Sequence, residues 1–195
     1  MRGLPLATCS MLVGSILVSC AFAQPLKDGK PKLLREGWGF ACELTAEQGD
    51  FDRKNAIGGD AACGQVGPLW LGMSRAEAEG VLGKPTTQKI VGTETYYVYS
   101  LNADGSGQMT TYAVLSYDEK ERAATLQITG DQWPRAWTFA DIKLGDTDEA
   151  VIARLGEPHG KAPSEVPDTV TWDYLPWTFS FEITDHKVTS IRVAG

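Results

Sequence analysis

Two histidines, four cysteines and one glycine-rich acidic run are the residues of this chain whose types and spacing could do chemistry. His159 follows the helix-stopping Pro158, and His186 falls in the predicted turn Thr184-Asp185-His186-Lys187. Both therefore read as exposed loop residues and not as general bases, which must sit within hydrogen-bond reach of a substrate proton. The run Asn102-Ala103-Asp104-Gly105-Ser106-Gly107 has the first half of a calcium loop, but its twelfth position is Ala113 where that loop needs a bidentate glutamate. It reads as a polar hairpin tip. Asp104-Gly105-Ser106-Gly107 lacks the strand-to-helix setting of a nucleophile elbow, and neither glycine-rich phosphate signature is present. Cys42 and Cys63 stand far from both histidines, which is not zinc-ligand spacing. No catalytic residue, metal ligand or cofactor is assigned. An enzyme would need a pocket with a perturbed carboxylate that sequence alone does not reveal.

Residues 1–23 read as a secretory signal: Arg2, an apolar run from Met11 to Val18, and Ala21-Phe22-Ala23 before Gln24. The run is too short to span a membrane. Leu17-Val18-Ser19-Cys20 also looks like a lipobox, in which Cys20 would carry a lipid, and both readings stay open. Removing residues 1–23 takes away Cys9 and Cys20 and leaves Cys42 and Cys63, which are expected to form a disulfide in an oxidising compartment. The formal charge is −7 for the whole chain, and one unit more negative once Arg2 leaves. That balance argues against nucleic acid, whose phosphates demand a basic patch, and gives no electrostatic reason to sit on anionic lipid.

The elements that would position any site are written twice. Leu71-Gly72, Ser74, Leu82-Gly83 and Pro85 recur 73 residues later as Leu144-Gly145, Thr147, Leu155-Gly156 and Pro158. These residue types start, pack and stop a helix. Ser74 with Glu77 fits a capping box, Thr147 is the matching cap, and Gly83 and Gly156 read as left-handed helix stops followed by proline. After each helix the hydrophobic period changes to two, over 96–99, 112–117 and 125–128, then over 171–174, 178–183 and 190–193. The predicted fold is α+β: two tandem helix-plus-three-strand repeats forming one antiparallel sheet with helices on one face. The predicted order is a signal peptide (1–23), a tether (24–36), a disulfide-pinned extension (37–66) docked through Trp38 and Phe40, repeat 1 (67–130), a linker (131–138) and repeat 2 (139–195).

This pattern, carried by Leu71, Gly72, Ser74, Leu82, Gly83 and Pro85 and their six partners, resembles the SmpA/OmlA outer-membrane lipoprotein module. Doubled, it resembles the β-lactamase inhibitory protein fold. The resemblance covers residues 67–194 and implies a protein that binds other proteins across its sheet face or loops and catalyses nothing. Neither repeat contains a cysteine, so no particular target is carried over.

The alternation places Tyr97, Tyr99, Leu115, Tyr117, Leu126, Ile128, Trp172, Tyr174, Phe179, Phe181, Ile183, Ile191 and Val193 toward the helices. Tyr96, Val98, Gln127, Glu182 and Arg192 then face the other way, on a wide polar surface. Trp133, Arg135 and Trp137 lie on the linker, and tryptophan and arginine are typical of binding hot spots. These eight residues form the expected protein-binding site. The expected partner is another envelope or secreted protein, with the chain acting as an inhibitor or immunity-type protein on a periplasmic or secreted enzyme. An outer-membrane assembly scaffold, which lipidation at Cys20 would favour, and a glycan- or peptidoglycan-binding protein are the other readings.

Overall fold

The computed structural model describes residues 32–36, 39–43, 63–103, 109–131 and 137–195. The signal segment, Cys20, Trp38, Asp104, Ser106, Trp133 and Arg135 lie outside the described residues.

Both helices form where their caps are written. Helix α1 (Arg75–Leu82) starts at Ser74, whose Oγ accepts the Glu77 amide at 3.3 Å while the Glu77 carboxylate accepts the Ser74 amide at 2.7 Å. Helix α2 (Asp148–Leu155) starts at Thr147, which accepts the Ala150 amide at 3.3 Å, with Asp148 and Glu149 in the first turn where the helix dipole favours negative charge. Gly83 and Gly156 end the helices at φ 81° and 76°, but with ψ −165° and −174°. They are therefore not in the left-handed helical region that was expected; this extended, positive-φ conformation is essentially reserved for glycine.

The predicted fold class is overturned. The molecule is mostly β, and each short helix is followed by four strands, not three: β5 (Thr87–Val91), β6 (Glu94–Ala103), β7 (Met109–Tyr117) and β8 (Ala123–Gly130), then β9 (Gly160–Pro163), β10 (Thr169–Tyr174), β11 (Phe179–Thr184) and β12 (Lys187–Ala194). They make one eight-stranded antiparallel sheet in the order β5-β6-β7-β8-β12-β11-β10-β9. The last strands of the two halves pair at its centre, Leu126 against Val193 and Ile128 against Ile191. The two missed strands are its edges. All five residues of β5 are exposed and carry no alternation, and β9 is four residues long with a glycine and a proline. A two-residue hairpin, β3 (Gln65–Val66) and β4 (Leu69–Trp70), precedes α1. The bridge Phe139–Ile142 holds the matching place before α2.

Tyr99, Leu115, Leu126 and Ile128 are buried on the helix side together with Trp172, Tyr174, Phe179, Phe181, Ile183, Ile191 and Val193. Tyr97 and Tyr117 are half-buried and meet edge to face at 5.4 Å. Tyr174 and Phe179 stack at 5.1 Å, and Phe40 closes edge-on over both. Phe40 belongs to β2 (Gly39–Glu43), which pairs with β1 (Lys32–Glu36). The expected tether over 24–36 is thus wrong for its last five residues, which form a strand. Leu33 is buried, and Arg35 donates to the carbonyl oxygens of Leu155 and Glu157 at the end of α2. Cys42 and Cys63 form a disulfide with a Cα separation of 5.8 Å. The β1–β2 hairpin is therefore bonded to the start of the first unit and packed against the second.

Candidate functional site on the open sheet face

Backbone pairing sets a single row across all eight strands on the face away from the helices: Thr87, Val98, Val114, Gln127, Arg192, Ser180, Asp173 and Gly160. Val98, Val114, Gln127, Ser180 and Asp173 are half-exposed, and Arg192 is exposed. Three of the expected site residues, Val98, Gln127 and Arg192, share this row. Tyr96 stands on the same face two residues along β6, where its hydroxyl donates to the Glu94 carboxylate. That hydrogen bond holds the phenol above its ordinary pKa, while the Arg192 charge pulls it the other way.

A second row runs Tyr112, Thr129, Ser190, Glu182 and Thr171. Here the Gln127 amide donates to the hydroxyls of Thr129 at 3.2 Å and Ser190 at 3.0 Å, and those two hydroxyls lie 2.9 Å apart. Ser190 is 1% exposed, so this network satisfies a buried polar group and fixes the Gln127 side chain. Glu182 accepts a hydrogen bond from Ser164 at 2.7 Å, which draws the loop after β9 over the sheet. The result is a groove of about 390 Å³ lined by Tyr112, Gln127, Thr129, Glu165, Thr171 and Glu182. Sequence reasoning found Gln127 and Glu182. Tyr112 follows from carrying the alternation of Val114 and Ser116 two residues back, whereas nothing local marks Glu165, whose loop is placed by the Ser164 hydrogen bond.

The linker does not supply the expected rim at Trp137. That ring is 8% exposed and packs against Gly67, where an added Cβ would come within 2.3 Å of it. Trp137 belongs to the core.

The histidines lie off this face. His186 is exposed in the β11–β12 turn and meets Asp148 at 2.8 Å. His159 sits beside Tyr174, which points into the core. A larger apolar cavity of about 770 Å³ lies on the helix side, walled by Leu33, Leu71, Phe139, Trp177, Phe179 and Val193. Its carboxylate, Asp118, is held below the ordinary range, chiefly by the Arg122 and Lys120 backbone amides of its own turn. That is the chemistry of a turn. Among the described residues there is no group of three or more His, Cys, Asp or Glu side chains placed to hold a metal, and no helix is long and apolar enough to cross a membrane.

No family model and no curated protein matches the chain. Two solved structures are similar to it. A DUF4309 family protein, YjgB, from Bacillus subtilis subsp. subtilis str. 168 is 16% identical over 63% of this chain and 78% of its own, with a TM-score of 0.43. An extracellular protein containing a SCP domain, from Bacillus anthracis str. Ames, is 12% identical over 63% of this chain, with a TM-score of 0.39; the chain spans 43% of its length. Neither is an SmpA/OmlA module or a β-lactamase inhibitory protein.

Proposed function

We propose that this protein is a non-enzymatic binding module of the cell envelope or its exterior, which holds another protein across the open face of its sheet. One observation carries the reading: the unbroken eight-strand row in which the half-exposed valines Val98 and Val114 are followed by Gln127 and then exposed Arg192, with Tyr96 two residues along β6 from Val98. Apolar centres flanked by aromatic and arginine side chains are what protein interfaces select. The disulfide fits a secreted or periplasmic place of action. An inhibitor or immunity-type role and an outer-membrane scaffold role share this surface and differ in partner: an enzyme that loses activity for the first, an assembly component for the second.

The test is site-specific photo-crosslinking from position 98, with exposed Ala153 on α2 as the control. A discrete protein adduct from position 98 alone, identified by mass spectrometry and then bound in purified form, supports the reading. Equal labelling from both positions, or adducts from position 153 only, overturns it.

A further inference from the structure

Resting on that reading, we infer that the groove running from Tyr112 on β7 across β8 to Glu182 on β11 and Thr171 on β10 receives the cationic end of an arginine or lysine side chain from the bound protein. The two halves of the open face differ in chemistry. The half built by β6 and β7 presents Tyr96, Val98 and Val114, whereas the half built by β10 and β11 presents Asp173, Thr171, Ser180 and Glu182. Glu182 is half-buried, and Glu165, next to the Ser164 that bonds Glu182, stands exposed on the lip. The Glu182 carboxylate takes one donor, the Ser164 hydroxyl at 2.7 Å, and no ion pair reaches Glu182 or Glu165 among the described residues. Arg192 stands on the neighbouring row opposite Ser180, and its charge acts on Tyr96.

An ionised carboxylate has about four lone-pair sites. Glu182 therefore keeps acceptor capacity directed at a space that the fold does not fill with a cation. Charge-assisted hydrogen bonds are the stronger kind, and Tyr112 supplies an aromatic wall against which a guanidinium or ammonium is attracted. The hydroxyl of Thr171 adds a neutral acceptor. The groove, about 390 Å³, has room for one long side chain. The net charge of −7 adds an attractive field for a basic partner surface.

The experiment is an amide-resolved NMR titration of the disulfide-bonded protein with N-acetylarginine methylamide. N-acetylcitrulline methylamide serves as the uncharged isostere and a chitin oligosaccharide as the glycan probe. The expected result is saturating shifts at Thr129, Thr171 and Glu182 with the arginine probe, absent with citrulline, and about tenfold weaker binding in Glu182→Gln. Glu165→Gln, on the exposed lip, provides a second variant that leaves the Ser164 hydrogen bond in place. No shift at these amides, or equal shifts with citrulline, overturns the inference. If the arginine probe fails while position 98 still crosslinks a partner, the groove assignment falls and the open-face reading stands. If the oligosaccharide alone shifts these amides and position 98 captures nothing, both fall.

Discussion

The two units carry the same helix-ending residues and bury their helices unequally. In α1 only Ala78 is fully buried, while Leu82 packs against the core but stays half-exposed. In α2, Val151 and Leu155 are both at 0% exposure, and the β1–β2 hairpin covers the helix end through Arg35, with Arg154 donating to the Leu33 carbonyl at 3.3 Å. Cap residues therefore fix where a helix starts and stops, but what lies beyond the sheet decides how much that helix stabilises. The two units share one sheet through the β8–β12 seam, and the helix of the second is the more deeply packed.

Alanine at the two matching leucines should break the apparent equivalence most sharply. Leu155→Ala is expected to cost roughly 3 to 5 kcal/mol and Leu82→Ala roughly 1 to 2, because only the first leaves a closed cavity. Denaturant unfolding measures both, and equal losses would show that α1 is as deeply packed as α2. Next in size is the crosslink that ties the hairpin to the first unit. Replacing Cys42 and Cys63 together with serine should cost about 3 kcal/mol for a loop of this length, and should expose the α2 end to exchange more than the α1 end. Uniform exchange at both ends would show that the hairpin holds α2 without the bond.

Helix boundaries were legible in the sequence because a cap is a local contact: Ser74 and Glu77 meet within one turn. The core face was legible too, since alternation in Phe179-Ser180-Phe181-Glu182-Ile183 needs no knowledge of partners. Sheet order was not. Nothing near Ile128 names Ile191 as its neighbour, and an edge such as Thr87-Gln88-Lys89-Ile90-Val91, wet on both sides, carries no period. The inequality of Leu82 and Leu155 was equally hidden, because it depends on Arg35 arriving from 120 residues away. Trp137 was misplaced for a related reason: its ring packs on Gly67, which lies far earlier in the chain.

The paired glycines sharpen the same contrast at smaller scale. An added Cβ at Gly83 meets nothing within 4 Å, whereas at Gly156 it would lie 2.1 Å from the Arg35 guanidinium. Both substitutions incur backbone strain of roughly 1 to 3 kcal/mol; Gly156→Ala must also displace Arg35. The extra loss at Gly156 should vanish in an Arg35→Ala background, read by thermal unfolding of the four variants. If the two glycine variants stay unequal without Arg35, the difference has another origin.

The smallest expected effect is electrostatic, and it comes from one backbone contact carrying opposite charges in the two units. The Arg75 amide donates to the Glu121 carbonyl at 3.0 Å, and the Asp148 amide donates to the His186 carbonyl at 3.2 Å. The cation leads in the first unit and the anion in the second. Asp148 accepts from His186 at 2.8 Å, which raises the imidazole above its ordinary value of 6.5 and lowers the carboxylate below its ordinary 3.8. The histidine contribution is fully present below about 6.5 and is lost as pH rises through its raised folded value. The aspartate contribution is present above about 3.8 and is lost as pH falls through its lowered folded value. In the first unit Glu79 is held low by Lys84 and Arg75, so its contribution is lost only on the acid side. Asp148→Asn should therefore bring the His186 titration, followed by NMR, back toward 6.5, and should flatten the stability profile across neutral pH while leaving the acid limb of the first unit in place. With His186 85% exposed, the gain is screened by solvent and should shrink further in high salt. A His186 titration unchanged in Asp148→Asn would mean that the charge reversal between the units has no energetic consequence at this turn.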